Sequence, residues 1–198
     1  MKDQDWSLRA TQVQTYVGFT SFMTAVVVFF VGLLLASFKN YDPSIKVPIA
    51  YLIISIFGFL YATLIYTGIA AEISNKREQH FKHSMQLGDV ISEYLGVYLL
   101  IISIPFVIGA ITDDPFLRLV SIFAAIIGLI VYQLSHVSMI EQHFSKTNRL
   151  LSLFLAAFAL ILYWSQINDF HFVQLSVCFL LCMFLVVIIA AKNKKTVF

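Results

Sequence analysis

The chain has 198 residues, of which 60% are apolar and 12% charged, and its mean hydropathy is +0.86. A soluble domain carries about a quarter charged residues and fewer than half apolar ones, so this composition excludes an ordinary soluble fold. The formal net charge of +2 predicts no strongly basic surface, and we expect no nucleic-acid partner.

Six uncharged runs divide the chain and contain 29, 25, 19, 22, 19 and 22 residues. An α-helix rises 1.5 Å per residue and needs about 20 residues to cross roughly 30 Å of hydrocarbon. The runs are continuous, whereas strands of a membrane barrel would alternate over about ten residues. The sequence therefore predicts an all-α, polytopic integral membrane protein, with one six-helix transmembrane bundle over residues 1–198. The expected spans are 15–38, 47–71, 92–112, 116–139, 150–168 and 170–191.

Short polar segments separate these runs. Residues 5–16 read as an interfacial helix that leads into the first span, and residues 72–91 as an amphipathic connection. We expect the second helix to run into this connection and to break near Gly88, with Asp89 capping the third helix. Asp-Pro and Asp-Asp-Pro predict tight turns at 42–44 and 113–115.

The basic residues predict the orientation. With the N-terminus inside, ten Lys and Arg residues fall on the cytoplasmic side and three on the outer side. Because basic residues gather on the cytoplasmic side, we expect both termini to be cytoplasmic. The expected location is a cell membrane, crossed several times, and most simply a prokaryotic inner or plasma membrane.

Two stretches of the chain resemble each other. Ser55-Ile56-Phe57 followed by Tyr66 has the same pattern as Ser121-Ile122-Phe123 followed by Tyr132, at an offset of 66 residues. Glu-Gln-His-Phe also occurs at both 78–81 and 141–144. An ancient duplication of a helical hairpin is one explanation and chance is the other. The repeated spans would run in the same direction.

A few titratable and polar residues lie near the ends of the spans on the cytoplasmic side. A charged group inside hydrocarbon costs roughly 2.5 to 3.5 kcal/mol on insertion scales, so each one needs a reason. We predict an ion, proton or substrate pathway in this region. The alternative is that the acids are ordinary interfacial caps that reach water and favour a helix start. The candidate residues are Glu93, Asp89, Glu72, Gln133, His136 and Tyr132.

Two further features bear on a conduction path. Asp113 and Asp114 would form an acidic outer mouth if an oligomer repeated them around an axis; the alternative is that both are simple turn residues. Pro105 lies within the third run, where a missing N–H predicts a kink that a gate can use.

Motifs for catalysis are absent from the sequence. It contains no potassium-channel filter TVGYG, no Gly-x-Ser-x-Gly, no HExxH and no phosphate-binding glycine loop. His80 and His83 lie beside three basic residues, so a solvated pair is favoured over a metal site. We therefore predict no cofactor, no metal and no catalytic residues, and a protein that is not an enzyme is the favoured interpretation.

Three functions remain open. The leading hypothesis is a small homo-oligomeric membrane protein that conducts ions or a small solute through the lipid bilayer. The first alternative is a membrane anchor or signalling subunit, in a defence or envelope-stress complex, that docks a cytoplasmic protein through 72–91 and 141–149. The second is an intramembrane enzyme that modifies lipid, for which His80, His83, His136 and Glu93 are the available groups.

Overall fold

The computed structural model describes residues 2–73, 78–134, 146–168 and 170–192, with side chains over 7, 9–71, 83–132, 150–168 and 170–192. Every regular element in these ranges is helical, which confirms the all-α prediction for the described chain. The elements are α1 (Lys2–Ala36), two 3-10 turns (Phe38–Asn40 and Pro43–Ile45), α2 (Lys46–Ile73), α3 (Glu78–Val90), a π-helix (Ile91–Tyr98), α4 (Leu99–Ile111), α5 (Pro115–Leu134), α6 (Lys146–Ile167) and α7 (Phe172–Lys192). We call the π-helix the π-segment, and α3, the π-segment and α4 together the third span.

The described chain has six helical stretches that are long and apolar enough to cross a membrane, as the sequence predicts. Large apolar side chains also cover the outside of the bundle. Phe29 of α1 and Phe116 of α5 are each 69% exposed, and Leu150 of α6 is 67% exposed. Soluble proteins rarely expose such continuous apolar surface, because it is unfavourable in water.

Helix α1 runs without interruption for 35 residues, so the expected lead-in segment continues directly into the first span. Its threonines are accommodated because their hydroxyls bond back to carbonyls of the same helix. Thr20 Oγ1 donates to Tyr16 O at 2.8 Å, and Thr24 Oγ1 donates to Thr20 O at 2.8 Å. Such bonds leave no hydroxyl proton unsatisfied in an apolar surrounding.

Both predicted aspartate turns are present. Ser44 N donates to Asp42 Oδ1 at 2.8 Å, and Phe116 N donates to Asp114 Oδ1 at 2.8 Å, so each aspartate caps the helical turn that follows it. Asp42 N also donates to Ala110 O at 3.2 Å, which ties the first turn to the second. We call this end of the bundle the turn end and the opposite one, where α1 begins, the terminus end.

The third span is the most buried of the six, and α2 is the next. Helix α2 packs against α1, α3, the π-segment and α4, while α4 also contacts α5 and α6. Helix α7 packs against α6, α3 and the π-segment. Most residues of the π-segment, on the terminus half of the third span, are therefore enclosed by neighbouring helices.

Candidate functional site

The two acids of the third span are deeply buried. Asp89, near the end of α3, and Glu93, in the π-segment, are each 1% exposed. The expectation that Asp89 caps a helix is wrong, because the helix begins at Glu78 and runs through Gly88 without a break. The alternative in which these acids reach water at the interface does not fit their burial. Both carboxylates lie inside the bundle.

Each carboxylate accepts a hydrogen bond from a tyrosine of a different span. Tyr66 Oη of α2 donates to Asp89 Oδ1 at 2.6 Å. Tyr132 Oη of α5 donates to Glu93 Oε2 at 2.7 Å. Distances this short are typical of hydroxyl bonds to ionised carboxylates, which are stronger than neutral bonds. The structure thus pairs Glu93 with Tyr132, both residues of the predicted pathway, and pairs Asp89 with Tyr66, which the prediction did not include. A pathway through these residues stays a prediction.

Tyr66 and Tyr132 occupy equivalent positions in the two similar stretches of sequence. They are 66 residues apart, and each follows its Ser-Ile-Phe by the same interval. In the fold both donate to acids that are four residues apart on one helix. In the sequence, Tyr66 stands out only as part of the repeat. Tyr132 is a predicted pathway residue, and Tyr66 occupies the equivalent position in the repeat. This equivalence is the signal that could have identified Tyr66.

Close packing against α2 encloses this part of the third span. A Cβ atom at Gly88 would lie 2.7 Å from the Tyr66 ring, and one at Gly96 would lie 2.6 Å from the Phe59 ring. A Cβ at Gly58 would lie 2.8 Å from the backbone of Leu95 and Gly96. Only glycine allows α2 and the third span to approach so closely.

Further hydroxyls line the same contact. Ser55 Oγ of α2 donates to Gly96 O at 2.8 Å, so it satisfies a carbonyl of the π-segment. Tyr94 Oη and Ser152 Oγ of α6 lie 3.4 Å apart. Ser92 Oγ is buried and has no hydrogen-bond partner among the described residues. The terminus half of the third span therefore carries polar groups toward α2, α5 and α6.

Three predicted pathway residues at the terminus end, Glu72, Gln133 and His136, have no described side chain. Glu72 lies in the last turn of α2 and Gln133 near the end of α5, but their side chains are outside the described set. His136 lies outside the described residues altogether. A vestibule that joins these three to Glu93 therefore stays a prediction.

At the turn end the two acids have local roles. Asp113 Oδ1 accepts from Arg118 Nη2 at 2.7 Å, and Asp114 caps α5. Hydrogen bonds from the backbone and side chain of Ser44 lower the pKa of Asp42, the third acid there. These contacts explain why the acids are in the turns, and an acidic mouth in an oligomer stays a prediction.

Pro105 lies inside α4 and is buried. Side chains of other helices donate hydrogen bonds to α4 carbonyls that precede and follow it. Tyr163 Oη donates to Ile102 O at 2.7 Å, and Gln166 Nε2 donates to Phe106 O at 3.0 Å. Arg118 Nη2 donates to Gly109 O at 2.7 Å. Side chains of α5 and α6 thus hold this half of the span in place, while the kink at Pro105 stays a prediction.

The site as a whole presents oxygen atoms and no cluster of metal-ligating side chains within the described residues. Carboxylate and phenol groups at hydrogen-bonding distance can exchange a proton or offer oxygens to a cation. A nucleophile aligned with a base is not seen among these described groups. The chain matches no protein-family model, and no curated protein and no solved structure matches it.

Proposed function

We propose that the chain is a small homo-oligomeric membrane protein that conducts ions or a small solute, with Asp89 and Glu93 on the path as a cation or proton site. The observation that carries the proposal is that both carboxylates are 1% exposed within the most buried span. Acids inside a membrane are costly to insert, and where they persist they commonly mark ion or proton pathways.

The charge of the site favours cations, protons included. The two acids are four residues apart, and each is paired with a tyrosine. Their oxygen atoms therefore lie between the third span and its neighbours α2 and α5. An anion would be repelled by carboxylates, whereas a cation or a proton neutralises them. The conducted species would therefore be positively charged, or would move together with a cation.

Open faces on the outside of the bundle support the homo-oligomer. Cβ atoms at Gly18 and Gly32 of α1, and at Gly128 of α5, would meet nothing within 4 Å. Small residues let helices of neighbouring subunits approach closely where lipid supplies no hydrophobic drive. Because basic residues gather on the cytoplasmic side, we propose that the terminus end is cytoplasmic. We further propose a prokaryotic inner or plasma membrane as the location.

Flux through liposomes containing the folded oligomer tests the proposal. We expect a leak for at least one of K⁺, Na⁺ or H⁺, and we expect Glu93→Gln and Asp89→Asn each to lower it about tenfold or more. Asp42→Asn is the matched control, since it removes an exposed carboxylate that caps a turn and lies in neither the predicted pathway nor the predicted outer mouth. An equal loss in that control would indicate a surface-charge effect and contradict a path through the buried acids.

The same preparation separates the rival functions. Absence of a leak for every common ion and solute would overturn conduction. A cytoplasmic protein retained after gentle solubilisation, and released by changes in 72–91 or 141–149, would then favour the docking alternative. Turnover of lipid that depends on Glu93 would favour the intramembrane enzyme.

A further inference from the structure

The π-segment interrupts the regular helix of the third span over eight residues, from Ile91 to Tyr98. A π-helix has i→i+5 hydrogen bonds and usually occurs as a single turn, often at functional sites, because its geometry is less favourable than that of the α-helix. Six of the eight residues are buried. Contacts with neighbouring helices must therefore hold this segment in the wider register.

We infer that the π-segment is a register switch, in which a change to α-helix turns α3 relative to α4 and separates α3 from α2. One residue of register corresponds to about 100° of rotation and 1.5 Å of rise in an α-helix. The inference goes beyond the proposed function, because the conformational change is measurable whether or not the chain conducts.

The glycine contacts show what the switch would alter. In the present register α3 and the π-segment turn Gly88 toward Tyr66 and Gly96 toward Phe59. A shift of one residue in α3 would replace Gly88 by Leu87 or Asp89 at a contact that has no room for a single Cβ atom. Helix α2 and α3 would have to move apart, which would open the buried acids toward the terminus end.

The hydrogen bonds between the third span and its neighbours indicate which half of the span turns. Carbonyls of α4 accept side-chain bonds from Tyr163, Gln166 and Arg118, and Ala110 O accepts from Asp42 N. Backbone acceptors of this kind cannot be released by a change of charge. In the π-segment Ser55 Oγ donates to the Gly96 carbonyl and Tyr132 Oη donates to the Glu93 carboxylate. In α3 Tyr66 Oη donates to the Asp89 carboxylate, so this bond depends on the charge of Asp89. We therefore expect α4 to stay in place while α3 turns.

Two variants drive the switch by independent routes. Deletion of Leu95, at the middle of the π-segment, removes the extra residue and favours a continuous α-helix. The matched control deletes Ile104 of α4, which lies outside the π-segment. Because α4 has no extra residue to lose, this deletion leaves the rest of the span out of register. The double substitution Tyr66→Phe with Tyr132→Phe keeps the chain length and removes both hydroxyl donors.

A cysteine at Met85 reports the rotation. Met85 lies on α3, is 3% exposed and packs near Val13, Ala62 and Ile69. The background carries Cys178→Ala and Cys182→Ala, which remove both native free thiols. Thr20→Cys is the reference, because Thr20 is buried and its hydroxyl accepts from Thr63 in the α1–α2 contact, away from the π-segment.

Alkylation of these thiols by a maleimide, in detergent or nanodiscs, is the measurement. We expect Met85→Cys to react about tenfold faster in the Leu95 deletion and in the double tyrosine variant, while Thr20→Cys stays protected. If the Leu95 deletion does not fold, the double tyrosine variant decides alone. Continued protection of Met85→Cys would overturn the switch, and so would equal acceleration at Thr20→Cys, because that result means the whole bundle has loosened.

Discussion

The two halves of the third span are held by different kinds of acceptor. In α4, side chains and backbone groups from other elements donate to main-chain carbonyls, as Tyr163 does to Ile102 O. Across α3 and the π-segment, Ser55 also donates to a carbonyl, that of Gly96, but tyrosines donate to the carboxylates of Asp89 and Glu93. A backbone carbonyl keeps its acceptor strength at any pH, whereas a carboxylate becomes a weaker acceptor when it is protonated. The same polar chemistry therefore gives a fixed half and a half that responds to charge.

The largest effect should come from Gly58, where α2 crosses the π-segment. A Cβ at this position would lie 2.8 Å from the backbone nitrogen of Gly96, and a backbone cannot give way as a side chain can. We expect Gly58→Ala to destabilise the protein by about 3 kcal/mol or more, even after the roughly 1 kcal/mol gained in helix propensity, because overpacking against backbone lies at the upper end of the usual cost. Thermal unfolding in detergent measures the change, at about 2–4 °C for each kcal/mol.

Two other glycines sharpen that comparison. Gly68→Ala in α2 meets open space, so we expect a small gain in stability. Gly109→Ala in α4 meets only the amide of Gln166 at 2.8 Å, which can shift, so its effect should lie between the other two. Equal unfolding temperatures for Gly58→Ala and Gly68→Ala would contradict the close contact between α2 and the π-segment.

The next effect compares the tyrosines of the two halves. Tyr66→Phe and Tyr132→Phe each take a donor from a buried carboxylate, and bonds to charged groups contribute about 1.5–3 kcal/mol. Tyr163→Phe takes a donor from a neutral carbonyl, which contributes about 0.5–1.5 kcal/mol. Unfolding temperatures should fall further for the first two variants. A larger fall for Tyr163→Phe would show that the carboxylate bonds do not stabilise the fold.

The smallest effect concerns Asp42 at the turn end. Hydrogen bonds from Ser44 lower the pKa of this carboxyl below its ordinary value of 3.8. The cap therefore stabilises the fold fully above pH 3.8, and its contribution is lost as the pH falls through the lowered pKa. A carboxyl resonance of Asp42 followed by NMR should titrate below 3.8 and return toward that value in Ser44→Pro, which removes the backbone donor. A midpoint at or above 3.8 in the unaltered protein would exclude the cap.

Much of the fold follows from local sequence. The uncharged runs determine six helices because helix length and apolarity are properties of consecutive residues. The turns at Asp42 and Asp114 follow because an aspartate side chain bonds to its own neighbouring backbone. For the site, local sequence identified Asp89, Glu93 and Tyr132 as unusual, since charged and phenolic groups near hydrocarbon need a partner.

Only the tertiary structure decided how deep those groups lie and what they touch. Gly88 predicts a helix break when it is read locally, yet α3 continues through it. The residue is glycine because the Tyr66 ring occupies the space that a side chain would need. The π-segment has no local signature, since its register depends on how closely α2 passes at Gly58 and Gly96. The sequence thus determined which residues are helical and apolar, and packing between distant helices determined the burial, the tyrosine bonds and the register of the third span.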